Sequence, residues 1–248
     1  MTELVGRFRA VVEYDGTEFV GFQRQAQGRT VQGDLEDALR RIGWNGKSIL
    51  AAGRTDTGVH ATGQVIAFDF DWTHGAEALL RAFNVNLPYN LSVKSVAECA
   101  PEFHPRFGAK ARQYRYSIYN APVRAPLRAR YTWHVWAELH LDALQAASAE
   151  LLGRKDFATF GSDPDGGPNT VRTVQQAEWR CVGDEWYFDI QADAFLYRMV
   201  RSIVGALKLV GTQELSVREF QQLIDACDRT QCPPIAPAQG LCLMTVIY

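Results

Sequence analysis

The sequence predicts an α+β protein made of two similar halves. Segments that alternate like strands and segments with helical spacing follow one another, and a similar series begins again after residue 105. Between the two series, the stretch CAPEFHPRF carries two prolines that interrupt the pattern. A chain of 248 residues, 47% of them hydrophobic, can bury a sizeable core. We therefore expect an N-terminal α+β domain at 1–105 and a C-terminal α+β domain at 106–248.

The first half begins with RFRAVVEYD at 7–15, whose alternation is typical of a strand. TVQGDLEDALRRI at 30–42 gathers its apolar residues on one helical face and has Thr30 at the N-cap position. The remaining predicted elements are, in order, the strand SILAAG, a glycine-rich loop around Asp56, the strand QVIAFDF, a helix at about 76–84 and the strand LSVKSVAE.

The second half begins with the alternating strand KARQYRYSIYN at 110–120. A helix is expected at 141–153, where Gly153 suits a C-cap. TVQQAEWRCV and EWYFDIQA are expected to form a hairpin around Gly183 and Asp184. The remaining predicted elements are helices at about 195–210 and 216–226 and the closing strand CLMTVIY, while the polar stretch 159–170 is expected to be a loop.

The composition is that of a soluble globular protein. No apolar run approaches the roughly 18 residues that span a bilayer, and the N-terminal residues show no signal-peptide pattern. The five cysteines are scattered, form no CxxC pair and share no metal-like spacing with the five histidines. We expect a cytoplasmic protein with no membrane partner, no metal site and buried or incidental thiols.

The charge of the chain is unevenly distributed. The net charge is −2, yet residues 106–130 contain seven Lys or Arg and no Asp or Glu, which leaves −9 for the rest of the chain. Arginine predominates among the basic residues, and its planar guanidinium binds phosphate in bidentate fashion and stacks on bases. The composition alone is compatible both with a nucleic-acid contact and with a solvated basic face.

Candidate reactive side chains are most concentrated in AAGRTDTGVHATGQV at 51–65. Asp-Thr-Gly suits a tight turn, because Asp accepts from nearby backbone amides and Gly58 tolerates a positive φ. Arg54 and His60 flank the aspartate, and the small residues around it would let a planar ligand approach the backbone. Taken alone, Asp56 is therefore either a turn residue or a reacting carboxylate.

Two further segments carry candidate functional residues. In FLYRMVRSIVGALKLVG at 195–211, apolar residues fill one helical side and Arg198, Arg201, Gly205 and Lys208 the other. This pattern fits a core helix with a basic outer face, or an arginine that meets a carboxylate or phosphate. On the 110–120 strand, interleaved arginines and tyrosines fit either RNA stacking or a half-buried sheet face.

Taken together, six segments resemble the TruA family of tRNA pseudouridine synthases, in the family's order. They are YDGTEFVGFQRQ, RTVQGDLEDAL, AGRTDTGVHATGQVIAFD, FHPRFGAKARQYRYSIYN, FLYRMVRSIVGAL and PAQGLCLMTVIY. The resemblance spans essentially the whole chain, and GRTDTGVHA is its most specific part. Thr57 and Pro105 stand where the family commonly has alanine, and the 159–170 loop matches poorly.

The resemblance implies a cofactor-free isomerase that converts uridine to pseudouridine at positions 38, 39 and 40 of the tRNA anticodon stem-loop. It implies two ferredoxin-like (RRM-like) α/β halves forming one extended, mainly antiparallel sheet, with helices on one side and the active cleft between the halves. A cytoplasmic homodimer is expected. The alternatives are the same chemistry on another uridine or RNA, and a catalytically silent tRNA-binding protein; a glycoside-type hydrolase would need paired carboxylates.

The family's functional residues carry over onto specific positions of this chain. Asp56 is expected to be the essential carboxylate and Arg201 its charged partner. Tyr114 is expected to stack on the uracil and to take part in the final proton removal, and Leu241 to pack on the other side of the base. Arg54 is expected to hold the flipped nucleotide out, and His60 to have a structural role. Expected phosphate-binding residues are Arg24, Arg29, Lys110, Arg112 and Arg115.

Overall fold

The computed structural model describes residues 6–248. The chain forms two compact units. The first unit contains the residues up to Lys110 together with Leu243–Tyr248, and the second unit is Ala111–Cys242. The chain passes from the first unit into the second near residue 110, and its last residues belong to the first unit again.

The first unit is a mainly antiparallel sheet with two helices. Its elements are β1 (Gly6–Tyr14), α1 (Val31–Arg41), β2 (Leu50–Ala51), β3 (His60–Phe70), α2 (Gly75–Val85), β4 (Leu91–Glu98) and most of β10 (Leu241–Ile247). The strand order is β4-β1-β3-β10, and β2 pairs with β3. The pairings of β1 with β3, β1 with β4 and β2 with β3 are antiparallel.

The predicted helix at 30–42 is confirmed as α1. The Thr30 hydroxyl accepts from the amide of Gly33 at 3.2 Å, which satisfies one of the amides that a helix N-terminus leaves open. The apolar face of the helix is buried in the unit, as its spacing predicted; its members are Val31, Leu35, Ala38 and Leu39.

The second unit has the same kind of architecture. Its elements are β5 (Ala111–Asn120), β6 (Trp133–Val135), α3 (Leu141–Ala149), β7 (Gly153–Asp156), β8 (Val171–Val182), β9 (Glu185–Ala192), α4 (Met199–Gly211) and α5 (Val217–Ala226). The strand order is β5-β9-β8-β7 with antiparallel pairing, and β6 pairs parallel with β5. Val182 pairs with Glu185, so Gly183 and Asp184 form the predicted hairpin turn.

Three sequence predictions require correction. The helix expected at 141–153 ends at Ala149, and Gly153, with a φ of +89°, begins β7 instead. The helix expected from about 195 begins at Met199, because Arg198 takes a left-handed φ of +62°. The strand expected from SILAAG consists only of Leu50–Ala51.

The predicted fold class is confirmed: the chain is α+β, and its strand pairing is mostly antiparallel. Within residues 6–248, none of the helices is both long enough and apolar enough to cross a membrane.

Candidate active site

The loop between β2 and β3 presents Arg54 and Asp56 on a tight turn. The carbonyl of Asp56 accepts a hydrogen bond from the amide of Val59 at 3.1 Å, and Gly58 has a φ of +78° within this turn. A positive φ at the third residue of a turn favours glycine, so the order Asp-Thr-Gly fits this conformation. Arg54 is exposed and Asp56 is half-buried, so solvent reaches both side chains.

Two glycines of the segment after β1 make room for this turn. A Cβ atom on Gly16 would lie 2.0 Å from the carbonyl oxygen of Val59, and one on Gly21 would lie 3.0 Å from the carbonyl oxygen of Thr55. Gly21 also has a φ of +106°, which side chains rarely adopt. The backbone of this segment therefore packs directly against the backbone that carries Asp56.

His60, at the start of β3, is buried beside the same segment. Its Nδ1 accepts from the amide of Gly16 at 3.0 Å, and a carboxylate oxygen of Asp15 lies 3.2 Å from the same nitrogen. The two contacts compete, because an ion pair would need a proton on Nδ1. The amide has the shorter distance and a fixed proton, so Nδ1 is assigned as the acceptor. His60 thereby ties β3 to Gly16, which is the structural role expected of it.

Arg24 and Arg29 are both held by carboxylates of α1. Arg24 binds Glu36, whose side chain is fully shielded, while half of the Arg24 side chain stays exposed. Arg29 donates to Asp34 at 2.8 Å, and its guanidinium lies 4.6 Å from the centroid of the Phe19 ring. Of these two candidate phosphate-binding residues, Arg24 is therefore the more open to a ligand.

Tyr114 lies on the buried face of β5, in the second unit. Its side chain is 9% exposed, whereas Tyr116 on the same face is completely buried. The rings of Tyr114 and Phe195 meet edge to face, with centroids 5.0 Å apart and an interplanar angle of 84°. The two tyrosines therefore lie on a buried sheet face, one of the two possibilities that the sequence left open, and Tyr114 is at its more open end.

The basic residues of β5 are engaged by neighbouring groups. Arg112 donates to the carbonyl of Asp193 at 2.7 Å. Arg115 forms a bidentate ion pair with Asp189 at 2.8 and 2.9 Å, and this hydrogen bonding raises the pKa of the Arg115 guanidinium. Lys110, just before the strand, is exposed. Lys110 is therefore the most accessible of these three phosphate-binding candidates.

Arg201 lies in the first turn of α4. Its Nε donates to the carbonyl of Ala236 at 2.8 Å, and the amide of Ala236 donates back to the Arg201 carbonyl at 3.0 Å. One turn further on, a Cβ atom on Gly205 would lie 2.1 Å from the carbonyl oxygen of Pro234. Of the two possibilities that the sequence left open for this helix, a solvated outer face does not hold at Gly205, because the 234–236 segment covers that side.

The same segment continues to Leu241. The Tyr116 hydroxyl donates to the carbonyl of Pro237 at 2.8 Å, and burial raises the pKa of that phenol well above its usual value, so it stays a donor. A Cβ atom on Gly240 would lie 2.6 Å from the Tyr116 ring. Leu241 follows as the first residue of β10 and is 6% exposed. Segment 236–241 therefore connects α4, which carries Arg201, to β5.

Two residues that contact predicted site residues were not singled out from the sequence. Phe195 contacts Tyr114, and Glu36 anchors Arg24. Phe195 and Tyr114 lie far apart along the chain, and Glu36 lies 12 residues after Arg24, beyond the start of α1, so local periodicity carries no signal for either contact. Among residues 6–248, no group of three or more His, Cys, Asp or Glu side chains is placed to hold a metal ion.

Comparison with known proteins identifies the family to which the chain is related. The family described as tRNA pseudouridine synthase matches residues 10–108 and 147–248. This chain belongs to the tRNA pseudouridine synthase family. The matched ranges contain Asp56, Arg201 and Leu241, and Tyr114 falls in the span between them.

Individual members of the tRNA pseudouridine synthase family match almost the whole chain. The tRNA pseudouridine synthase A of Brevibacillus brevis is 40% identical over 242 residues, which are 98% of this chain and 99% of that protein. Its counterpart from Geobacillus kaustophilus is 41% identical over 244 residues, 98% of this chain and 94% of that protein. The one from Methylobacterium sp. (strain 4-46) is 41% identical over 243 residues, 98% and 97% of the two chains. The predicted family and enzyme class, an isomerase that forms pseudouridine in tRNA, are confirmed.

Proposed function

We propose that this enzyme acts on the anticodon stem-loop of tRNA, at uridines 38, 39 and 40, with Asp56 as its essential carboxylate. The observation that carries the proposal is the turn at Asp56. A half-buried carboxylate stands there on a tightly packed backbone, two residues after an exposed arginine. Asp56 also lies in GRTDTGVHA, the segment whose resemblance to the family is the most specific.

The reaction rearranges one nucleotide without a net change in composition. The N1–C1′ bond breaks, the uracil turns, a C5–C1′ bond forms, C5 loses a proton and N1 gains one. No electrons are gained or lost and no group donor is needed, so side chains suffice. Asp56 either attacks C1′ or the uracil ring, or removes a proton at C2′. Each route requires its carboxylate to be ionised.

The remaining roles follow from what this carboxylate needs. Once a flipped base covers this carboxylate and excludes water, an unpaired charge there would be costly, and Arg201 is proposed to supply the counter-charge. The bond between its Nε and the Ala236 carbonyl supports this role, because it restrains the guanidinium. The target base must leave its stack, and the exposed Arg54 is proposed to hold the vacated position.

The base itself is proposed to lie between Tyr114 and Leu241. Tyr114 would stack on the uracil and assist the removal of the C5 proton, and Leu241 would pack on the opposite side. Phosphate contacts are proposed for Arg24, Lys110 and Arg112. The exposure of Lys110 and of half the Arg24 side chain supports these contacts.

The decisive experiment replaces Asp56 by asparagine, which keeps the shape and removes the charge. We expect Asp56→Asn to lose turnover while tRNA affinity stays within roughly tenfold of wild type. Turnover is measured as tritium release from tRNA labelled with [5-³H]uridine. The control is Asp71→Asn, an exposed aspartate of the first unit, which should keep full activity. Wild-type turnover by Asp56→Asn would refute the proposed role.

Mapping the modified sites tests the choice of substrate. Pseudouridines in a mixed tRNA pool are located by carbodiimide-dependent stops in reverse transcription. Stops at 38, 39 and 40 are expected. Stops elsewhere would assign the same chemistry to another uridine and would refute the proposed choice of 38, 39 and 40. We also propose that the enzyme works in the cytoplasm and that it is a homodimer. Light scattering on the purified protein would test the oligomeric state.

A further inference from the structure

The loop between β7 and β8 contacts the segment that leads into α4. The amide of Tyr197 donates to the carbonyl of Ser162 at 2.8 Å, in an isolated antiparallel bridge. Next to this bridge Gly161 is buried, and a Cβ atom there would lie 2.6 Å from the Cβ of Leu196 and 2.8 Å from the Tyr197 carbonyl oxygen. Neither atom is the end of a flexible side chain, so only glycine allows this approach.

The part of the loop that makes this contact is firmly anchored. Phe157 and Phe160 are completely buried, and so is Thr159 between them. The Thr159 hydroxyl accepts from the amide of Asp228 at 3.0 Å, and the Thr159 carbonyl accepts from the Arg229 guanidinium at 2.9 Å. This part of the loop is therefore a fixed support for whatever packs on it.

Phe195 lies in the supported segment, between β9 and α4. At one end of the segment, the amide of Asp193 donates to the carbonyl of Thr173 at 3.1 Å. At the other end, Arg198 takes the left-handed φ of +62° that delays the start of α4. Between these ends, the Phe195 ring meets the Tyr114 ring at 84° with centroids 5.0 Å apart. The position of Phe195 therefore depends on the bridge and on the close approach at Gly161.

We propose that Phe195 is a positioning residue for Tyr114, and that Gly161 fixes the place of Phe195. This inference rests on the proposed role of Tyr114 against the uracil. An edge-to-face partner restricts the rotation of the tyrosine ring. Misplacing a reacting group by about 1 Å can cost on the order of a hundredfold in rate. The same segment leads into the turn of α4 that carries Arg201, so a shift there would also disturb the start of that helix.

The sharpest test adds a single methyl group to the loop. Gly161→Ala forces the Leu196 segment away, so we expect kcat on tRNA to fall by roughly tenfold to a hundredfold. The KM for tRNA should stay within about twofold, because no RNA contact is removed. The matched control is Gly167→Ala in the same loop, where the nearest atom to the new Cβ would be the Asp163 carboxyl carbon at 3.6 Å. The control should be indistinguishable from wild type, and a Gly161→Ala enzyme with wild-type kcat would overturn the proposal.

A second variant and a readout other than activity complete the test. Phe195→Leu removes the ring but leaves an apolar side chain, so it remains informative if Gly161→Ala fails to fold. With fluorotyrosine-labelled protein, the Tyr114 resonance is identified by its absence in Tyr114→Phe. We expect it to move in Phe195→Leu and Gly161→Ala, and to stay in place in Gly167→Ala. An unmoved resonance would overturn the positioning role, and so would a moved resonance with unchanged kcat. The resonance reports on Tyr114 even if the proposed tRNA substrate is wrong.

Discussion

Gly16 and Gly21 are important for the position of Asp56, because a side chain at either residue would overlap with the backbone of the Asp56 loop. Both lie against carbonyl oxygens of the loop that carries Asp56, and these oxygens belong to backbone that cannot swing aside. The nearby His60 adds a third tie, through the hydrogen bond that its Nδ1 accepts from Gly16. The carboxylate proposed to react is thus held in place by two glycines and a histidine to which no step of the reaction is assigned.

Gly16→Ala should therefore destabilise the protein and impair catalysis together. Overpacking of this kind costs about 1–3 kcal/mol, and the new Cβ would lie 2.0 Å from the Val59 carbonyl oxygen. We expect the thermal unfolding midpoint to fall and turnover to drop in the remaining folded protein. Gly53→Ala is the control, because nothing lies within 4 Å of a Cβ there. Its free energy of unfolding should change by less than about 0.5 kcal/mol. Equal midpoints for the two variants would contradict this account.

The sequence predicts residues whose role is local better than residues whose role depends on distant partners. The turn at Asp56 follows from Asp-Thr-Gly, since the positive φ of Gly58 is a local requirement. The need for glycine at position 16 depends on Val59, which reaches it only through strand pairing. Phe195 was missed for the same reason, because β5 and β9 must pair before its ring meets Tyr114.

At the scale of the elements, strand register brings opposite charges together. Arg7 on β1 pairs with Asp69 on β3, and the guanidinium donates to both carboxylate oxygens at 2.6 and 2.7 Å. This hydrogen bonding lowers the pKa of Asp69 below its usual value. Half of the Asp69 side chain is exposed, so solvent weakens the pair.

Asp69→Asn should reveal this pair through its pH dependence. A lowered carboxyl pKa gives stability that is present above the usual pKa and disappears as the pH falls through the lowered value. At pH 7 we expect the variant to be less stable by on the order of 0.5 kcal/mol. The difference in stability between the wild type and the variant should disappear as the pH falls below about 4. Thermal unfolding of both proteins across this range is the measurement, with Asp71→Asn as the control. A gap that stays constant at acid pH would rule out the ion pair as its source.

The elements that follow strong local patterns were predicted well, and their ends less so. Helix α5 begins at the expected place because Ser216 and Glu219 form a capping box, which is a local signal. Helix α3 stops before the expected glycine because Gly153 is taken by β7, which pairs with β8. Helix α4 starts late because its preceding residues bridge to Ser162. In both misplaced ends, a tertiary pairing overrides the local pattern.

Across the whole molecule, charge is concentrated in one stretch of sequence. Residues 106–130 carry seven basic and no acidic residues, while the net charge of the chain is −2. Some of these cations are committed internally: Arg115 pairs with Asp189, and Arg128 pairs with Glu185 at 3.0 Å. Arg124 is exposed and forms no ion pair within residues 6–248. It is therefore among the cations of this stretch available to a phosphate.

Arg124→Gln should weaken tRNA binding in a way that salt reveals. Each phosphate contact releases counterions, so affinity falls with salt concentration, and losing one contact reduces the log–log slope by about 1. The measurement is fluorescence anisotropy with labelled tRNA over a range of salt concentrations. Arg81→Gln, an exposed arginine of α2 outside this stretch, should leave the slope unchanged. If both variants keep the wild-type slope, Arg124 does not contact phosphate.

The position of β10 in the first unit sets an order of events during synthesis. Met244 of this strand lies so close to β3 that a Cβ atom on Gly63 would stand 2.2 Å from its carbonyl oxygen. On the ribosome, β3 emerges long before β10, with the whole of Ala111–Cys242 made in between. At a synthesis rate of roughly 5–20 residues per second, β10 becomes available to pair with the edge of β3 only after a delay on the order of ten seconds. During that interval the nascent chain exposes unpaired backbone amides and carbonyls, and other strands can compete for them.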